Sequence, residues 1–394
     1  VTRPLIRVGA GEPLRLRDAI AAALDGSGPA VQPVDEGTIP LSSQAPGPSP
    51  AESVPDEVAV VLATSGSSGY PKRVAVAASA LLASASATEE VLGGPGRWVL
   101  AVPAHYVAGV QVLVRSILAA SDPVVVSGRF SEAGFVRAVD EARDGGSRTY
   151  TALVPAQVAR LLSDGDGRAA LASLDGVIVG GQAVPVALRE RASSAGVHLV
   201  RTYGSSETSG GCVYDGRALA GVDVRITGGE IEIGGATLAL GYLGDDARTA
   251  GSFRQADGRR WFRTGDTGAL DGGVLEVFGR IDNVIVSGGV NVSLDRVESV
   301  VRDRPGFADA VVVGLEDDRW GAVPVVVGEG PGSDEAAVLD GLRAHVGARL
   351  GVAARPARLI RVDALPLLAT GKPDRLAIGR LARAAASAPG HADG

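Results

Sequence analysis

The sequence predicts an α/β chain with a large N-terminal domain of mostly parallel sheet, a small β-rich subdomain and a small α+β C-terminal domain. Three observations predict it. From residue 58 short apolar runs alternate with helical stripes, the pattern of a doubly wound sheet. From about 212 to 280 the texture turns to glycine-punctuated β pattern, as in GVDVRITGGEIEIGG and GALDGGVLEVFGR. After Arg280 comes a smaller unit with two Val-rich runs and three helical stripes. The expected domains are 1–281 and 282–394, with the β-rich subdomain at about 212–280.

In chain order, PLRLRDAIAAALD (13–25) carries an amphipathic helical stripe. Residues 37–56 are rich in Pro and Ser and read as a long surface loop. EVAVVLA (57–63) reads as a strand and 78–92 as a helix. RWVLAV and DPVVVSG read as strands around the helical GVQVLVRSILAA. SEAGFVRAVDEARDGG opens on a Ser N-cap and continues as a helix. TYTALV, GVIVGG and VHLVRTYG continue the strands. In the last unit ADAVVVGLE and AVPVVVGE read as strands, with helices at 293–303, 334–350 and 373–385.

Composition limits the function classes. The chain has 394 residues and a net charge of -7, which gives no basic surface for nucleic acid. No run of about 18 apolar residues suggests a membrane span. The opening VTRPLIRVGAGEPL lacks the basic-then-apolar layout of a signal peptide, so a cytoplasmic protein is expected. The single Cys212 excludes an internal disulfide and reads as a packed small residue. Of 38 basic residues only Lys72 and Lys372 are lysine, and both lie beside Gly and Pro in loops. Lysine is a compact, rotatable point charge and arginine a planar fork, so a narrow site that needs a small ammonium is expected at both places.

The first of these loops is LATSGSSGYPKRVAV (62–76). It follows a strand, where α/β sheets bind ligands. Gly66 and Gly69 let several backbone N–H groups converge on one anion, Thr64, Ser65, Ser67 and Ser68 add hydroxyl donors, and Lys72 adds charge. It reads as a phosphate-binding loop, but not as a Walker A motif, because Pro71 and Arg73 flank the lysine. There is no G-x-S-x-G elbow, and the histidines are scattered at 105, 198, 345 and 391.

Four further segments follow: RTYGSSETSGG (201–211), WFRTGDTGAL (261–270), GRIDNVIVSGGVNVSLDRVE (279–298) and TGKPDR (370–375). With the hydroxyl loop, in this order and spacing, they resemble the adenylate-forming superfamily of acyl-CoA synthetases, adenylation domains and luciferases, over roughly residues 58–385. The resemblance implies an N-terminal adenylate-forming domain and a mobile C-terminal one. It implies ATP, Mg²⁺ and CoA, with Thr64, Ser65, Gly66, Ser67, Ser68, Gly69 and Lys72 on the phosphates. Gly181, Gln182, Ala183 and Tyr203 match the segments that sandwich adenine, and Gly204, Ser205 and Ser206 complete the turn before Glu207. Ser206 stands where the family usually has Thr and keeps the hydroxyl. Glu207 would ligate Mg²⁺, Asp266 would accept the ribose hydroxyls with Arg280 beside it, and Asp282 matches the hinge. Lys372 matches the catalytic lysine at the reacting carboxylate, and Ser287, Gly288 and Gly289 match the loop of the CoA channel. The implied nucleophile is the substrate carboxylate, so no protein nucleophile is needed.

Within the superfamily AVPAHYVAGVQVLVRSILAA (101–120), 201–222 and EIGGATLALGYL (232–243) resemble the o-succinylbenzoate–CoA ligases of menaquinone biosynthesis in their actinobacterial form. The implied reaction activates o-succinylbenzoate as acyl-adenylate and transfers it to CoA. An aryl- or acyl-CoA ligase for another acid, or a stand-alone adenylation domain feeding a carrier protein, is the alternative. The family usually reads Pro-x-aromatic-His, and here His105 and Tyr106 are in the opposite order, so which of them faces the acyl pocket stays open. Arg115, His105, Gln111 and Ser209 are the candidates for the ring carboxylate. The implied partners are a small carboxylic acid, ATP and CoA, without nucleic acid or membrane insertion. A homodimer stays open.

Overall fold

The computed structural model describes residues 1–35, 52–64, 72–330, 335–367 and 373–387. Among them the chain forms four sheets. The first has the order Gly241–Tyr242, Lys72–Ala77, Val58–Thr64, Ala30–Val34, Thr2–Gly9, Ser53–Pro55. It is mixed: the three strands Thr2–Gly9, Ala30–Val34 and Val58–Thr64 run parallel, and the other pairings are antiparallel. The second runs Arg217–Ala218, Gly210–Tyr214, Leu199–Ser205, Gly176–Val179, Thr149–Leu153, Arg97–Leu100, Val124–Val125. Its last five strands are all parallel, the part the alternating apolar runs foretold.

The helices expected at 13–25, 78–92 and 109–120 are Pro13–Leu24, Ala78–Leu92 and Val107–Leu118, the last set two residues toward the N-terminus. They pack on one another and on strands of the first two sheets, in one core with Leu62, Val74, Trp98, Leu100, Tyr150 and Cys212. Val107–Leu118 is buried continuously from Gly109 to Ser116, which is why its sequence is apolar nearly all round. Helices Glu132–Arg143, Pro155–Ser163, Gly165–Ala172 and Val186–Ser194 supply a second core, with strand residues Val99, Leu153, Val177 and Val179. Ser131 caps Glu132–Arg143 as expected, its hydroxyl accepting from Gly134 N–H at 3.2 Å.

The third sheet joins Val222–Thr227, Glu230–Gly235, Arg259–Asp271 and Phe253–Ala256, with Val274–Arg280 paired to Arg259–Asp271. It is antiparallel throughout. The expected β-rich stretch is thus divided. Residues 210–218 extend the second sheet, Gly241–Tyr242 closes the first, and the third begins at Val222. The expected loop at 37–56 ends in an edge strand, Ser53–Pro55, which pairs with Thr2–Pro4; residues 36–51 lie outside the described residues.

The small C-terminal domain holds the fourth sheet, with Val284–Ser287, Val290–Ser293, Val311–Asp317, Gly321–Glu329 and Arg358–Val362. Helices Leu294–Arg302, Glu335–Leu350 and Arg375–Ser387 cover it. Among the described residues no helix is long and apolar enough to cross a membrane.

Trp98 and Tyr150 are fully buried against each other, ring centroids 5.3 Å apart, at the centre of the large domain. Replacing Trp98 with Ala is expected to destabilise the protein by about 3–5 kcal/mol, the cost of a lost ring plus its cavity. Urea unfolding followed by fluorescence and circular dichroism checks it; a loss below about 1 kcal/mol would mean that this core collapses around the gap.

Candidate active site

A cavity of about 350 Å³ opens where the first three sheets meet. The first sheet lends Lys72 and Tyr242, the second Tyr203, Gly204 and Ser205, and the third Glu230 and Arg263 to Asp266. Glu207 and Thr208 line it from the turn after Leu199–Ser205, and Arg280 from the end of Val274–Arg280.

Glu207 is buried in a single helical turn, Ser206–Thr208, that ends on Ser209 at φ 56. Its Oε1 accepts from the Tyr242 hydroxyl at 2.9 Å, and its backbone oxygen accepts from Ala239 N–H at 2.8 Å. Burial, and next the Glu207 charge, push the Tyr242 phenol above its usual range, so it stays a donor. Lys72 Nζ stands 5.7 Å from the centre of the Tyr242 ring. One aromatic side chain therefore holds the carboxylate at its tip and a cation beside its ring.

A second carboxylate faces the first across the cavity. Asp266 Oδ2 accepts from the Tyr203 hydroxyl at 2.7 Å, and Oδ1 lies 3.5 Å from Arg280 Nη1. Burial raises the Asp266 carboxyl above the usual aspartate range, against the opposing pull of Tyr203 and Arg280. Arg280 is shared. Its Nε donates to Asp282 Oδ1 at 3.0 Å and its Nη1 to Thr264 O at 2.8 Å. The bond to Arg280 holds Asp282 below the usual range.

The candidate residues thus fall into groups. Lys72, Tyr203, Gly204, Ser205, Glu207, Asp266 and Arg280 share the cavity. Ser205 Oγ is buried without a partner among the described residues, a group left for a ligand. Thr64 faces Lys72 across the ladder that Val58–Thr64 and Lys72–Ala77 form. Ser65, Gly66, Ser67, Ser68 and Gly69 lie outside the described residues, as does Lys372. Ser206 is buried, and Gly181, Gln182 and Ala183 follow the strand Gly176–Val179 beside Leu199–Ser205; none of these four lines the cavity. Sequence reasoning had no role for Tyr242, Glu230 or Arg263, which are among the lining residues.

The acyl candidates lie elsewhere. Gln111 Nε2 donates to Ser209 O at 2.7 Å, which joins those two, and Ser209 Oγ donates to Thr237 O at 2.7 Å. Gln111 Oε1 and Thr237 Oγ1 are buried without partners among the described residues. The rings of His105 and Tyr106 touch at a tilt of 55°, centroids 4.0 Å apart, and burial lowers the imidazole pKa and raises that of the phenol. Arg115 is turned into the core instead. Its Nη2 donates to Thr88 Oγ1 at 3.1 Å and to the Tyr214 hydroxyl at 3.3 Å, and its guanidinium lies 5.0 Å from the Trp98 ring centre. Cys212 is fully buried and its thiol is pushed up to about 12 by that burial, as a packed, unreactive residue requires.

Gly288 and Gly289, at φ 58 and 82, make the two-residue turn between Val284–Ser287 and Val290–Ser293. Ser287 is buried beside it. A Cβ on Gly288 would meet the Trp320 ring at 2.5 Å, whereas one on Gly289 would meet nothing within 4 Å. Gly288 is thus the crowded position of the two.

Among the described residues no three His, Cys, Asp or Glu side chains could hold a metal ion together. Glu207 is a single buried carboxylate with Oε2 free of any described partner, which fits a cation that takes one protein carboxylate and fills its shell with phosphate and water oxygens.

The chain matches the AMP-binding enzyme family over residues 17–243, and the C-terminal domain of AMP-binding enzymes over residues 296–372. It is 46% identical to a probable 2-succinylbenzoate–CoA ligase of Mycobacterium tuberculosis, covering 84% of this chain and 86% of that protein. It is 31% identical to the indoleacetate–CoA ligase of Aromatoleum aromaticum, covering 81% of this chain and 66% of that protein. The o-succinylbenzoate CoA synthetase of Bacillus subtilis, solved with its acyl-adenylate intermediate, is similar with a TM-score of 0.71 and 25% identity, over 92% of this chain and 80% of that one.

If Glu207 takes a hard cation, Glu207→Gln should raise the Mg²⁺ concentration needed for half-maximal ATP–pyrophosphate exchange by about ten-fold, since a neutral amide is the poorer ligand. Tyr242→Phe, which only frees Oε1 of Glu207, should shift the same titration by less than about three-fold. An unchanged midpoint in Glu207→Gln would remove Glu207 from the metal site.

Proposed function

Because the chain belongs to the AMP-binding enzyme family, we propose that it activates o-succinylbenzoate with ATP and passes the acyl group to CoA, as an AMP-forming acid–CoA ligase of menaquinone biosynthesis. The observation that carries the choice of acid is the likeness to the Mycobacterium ligase, which runs through most of both chains. The observation that carries the chemistry is the cavity, where a lysine and a buried carboxylate face a second carboxylate across one nucleotide-sized space.

The reaction balances in two steps. A carboxylate oxygen of the acid attacks the α-phosphorus of ATP, the bond to pyrophosphate breaks, and acyl-adenylate forms. The CoA thiol then gives up its proton and attacks the acyl carbon, and AMP leaves. Both steps need positioning and charge neutralisation more than a protein nucleophile. Lys72 and the hydroxyl residues before it in the sequence hold the phosphates, and Asp266, oriented by Tyr203 and Arg280, accepts from the ribose hydroxyls. Glu207 would hold Mg²⁺, which when bound neutralises phosphate charge. Lys372 opposes the repulsion between the attacking carboxylate and the α-phosphate. Gln111 and Ser209, joined and carrying a spare buried acceptor, are the best-placed pair for the acyl end. Arg115, whose Nη2 donates to Thr88 and Tyr214 in the core, holds the helix that carries Gln111.

The purified protein with ATP, Mg²⁺ and CoA should form the thioester of o-succinylbenzoate in preference to indoleacetate, benzoates and fatty acids. Better turnover of one of those acids would overturn the substrate and leave the ligase chemistry standing. Within the reaction, Lys372→Ala should slow adenylation by about 100- to 1,000-fold. It should spare conversion of supplied acyl-adenylate to thioester in single-turnover assays. Equal losses in both half-reactions would deny Lys372 a step-specific role.

A further inference from the structure

Asp266 does not sit in a regular strand. Glu232 pairs with Arg263 and Glu230 with Thr267, so Thr264, Gly265 and Asp266 face the single residue Ile231. The surplus residues bulge out of the ladder, and a bulge re-aims the side chain it carries. Here that side chain is Asp266, directed into the cavity. A bulge also strips backbone groups of their ladder partners, and each must be satisfied some other way.

Four of those groups have a substitute. Thr264 O accepts from Arg280 Nη1 at 2.8 Å, and Gly265 O accepts from Ile281 N–H at 2.8 Å. Asp266 N–H donates to Thr264 Oγ1 at 3.0 Å, and that hydroxyl donates to Ile231 O at 2.9 Å. Gly265 N–H donates to the side chain of Glu230, Oε1, at 3.0 Å. The other oxygen of Glu230 receives Arg263 Nε at 3.0 Å and Nη2 at 2.7 Å. Glu230 is buried and lines the cavity. Gly265 has φ 72, and a Cβ there would lie 2.8 Å from the Arg280 guanidinium, so the turn has no slack on its far side.

We infer that Glu230 is a positioning residue for the ribose subsite: its carboxylate takes the Gly265 N–H that the partner strand cannot, and so fixes the bulge that points Asp266 at the nucleotide. The inference rests on the reading of Asp266 as acceptor for the ribose hydroxyls. Both oxygens of the Glu230 carboxylate are engaged, by Gly265 N–H and by Arg263, so it acts through Gly265. With the carboxylate gone, a buried N–H is left unpaired and Arg263 loses its partner, and the loop relaxes toward a flatter ladder that withdraws Asp266.

The test is the preference for ATP over 2′-deoxy- and 3′-deoxy-ATP in pyrophosphate exchange, taken as the ratio of KM values. Asp266→Ala should collapse that ratio to near one. Glu230→Ala should lower it by about ten-fold, because the ribose contact is lost while the phosphate contacts stay. Glu230→Asp keeps the charge but withdraws it by one methylene, and carries the same measurement with the same expected direction should the alanine variant not fold. A general packing role would raise all three KM values together and leave the ratio untouched, and that result overturns the inference. If Asp266→Ala itself keeps the ratio, the ribose reading falls, and this inference with it. If Asp266→Ala collapses the ratio and the Glu230 variants do not, the ribose reading stands and only Glu230 is excluded.

Discussion

The site depends on one short extended segment, residues 237–243, whose backbone is bonded by all three sheets of the large domain. From the second sheet's side, Thr237 O accepts from Ser209 Oγ and Ala239 N–H donates to Glu207 O. From the first, Leu240 N–H donates to Ala75 O and Leu243 N–H to Arg73 O. From the third, Arg260 donates to Ala239 O and to Leu240 O, both at 2.6 Å. No one sheet could place Lys72, Glu207 and Asp266 around a common space, since Lys72 stands on the first, Asp266 on the third and Glu207 on the turn that follows a strand of the second. The shared segment fixes their relative positions, and Tyr242 within it reaches back to Glu207. Backbone groups bonded on every side leave little freedom for such a seam, and that stiffness suits a site whose work is positioning.

Asp295 ties the small domain to this arrangement. Asp295, on the first turn of Leu294–Arg302, accepts Arg280 N–H at 2.8 Å and Asn283 Nδ2 at 2.7 Å. Arg375 bridges Asp295 to the buried Glu298, and Glu298 in turn accepts Val312 N–H at 3.0 Å. The arginine that stands over Asp266 is therefore gripped at its backbone from beyond Asp282 and at its side chain from before it. A rotation about the proposed hinge at Asp282 has to exchange the Asp295 contact for another. The grip on the nucleotide and the orientation of the small domain are consequently not independent.

Much of this was legible in the residues, for reasons that can be named. Ala78–Leu92 matches its expected bounds and Val107–Leu118 lies within two residues of its own, because their apolar positions repeat with helical period. Strands Thr2–Gly9 and Ala30–Val34 went unread because Pro4, Arg3, Arg7 and Pro33 break the apolar run, and proline within a run argues against a strand. Lys72–Ala77 was absorbed into the glycine-rich loop before it, although KRVAVA alternates. At the site, the resemblance of the Gly-rich segments to the adenylate-forming superfamily singled out Glu207, Asp266 and Arg280. Tyr242 and Glu230 announced nothing. Each acts on a group 35 residues away in the chain; strand pairing brings Glu230 to Gly265, and the meeting of two sheets brings Tyr242 to Glu207. Gln111 and Arg115, one turn apart on one helix, looked equivalent as candidates. The fold separates them, sending one to Ser209 and the other to Tyr214.

The near-absence of lysine also acquires a physical reading at position 72. Two acidic groups stand close to its ammonium, Glu207 beyond the Tyr242 ring and Asp282, whose charge interacts with it. Asp282 and Asp266 are already held by the fork of Arg280. A second guanidinium at 72 would compete for the same carboxylates with a planar, multidentate grip, and would tie its strand to the hinge. An ammonium has no fixed fork. It keeps its charge in the cavity, rests near an aromatic face and stays free to turn toward an incoming phosphate. In a chain that otherwise writes arginine, lysine at this position is what separates a cation that binds ligand from one that binds the protein.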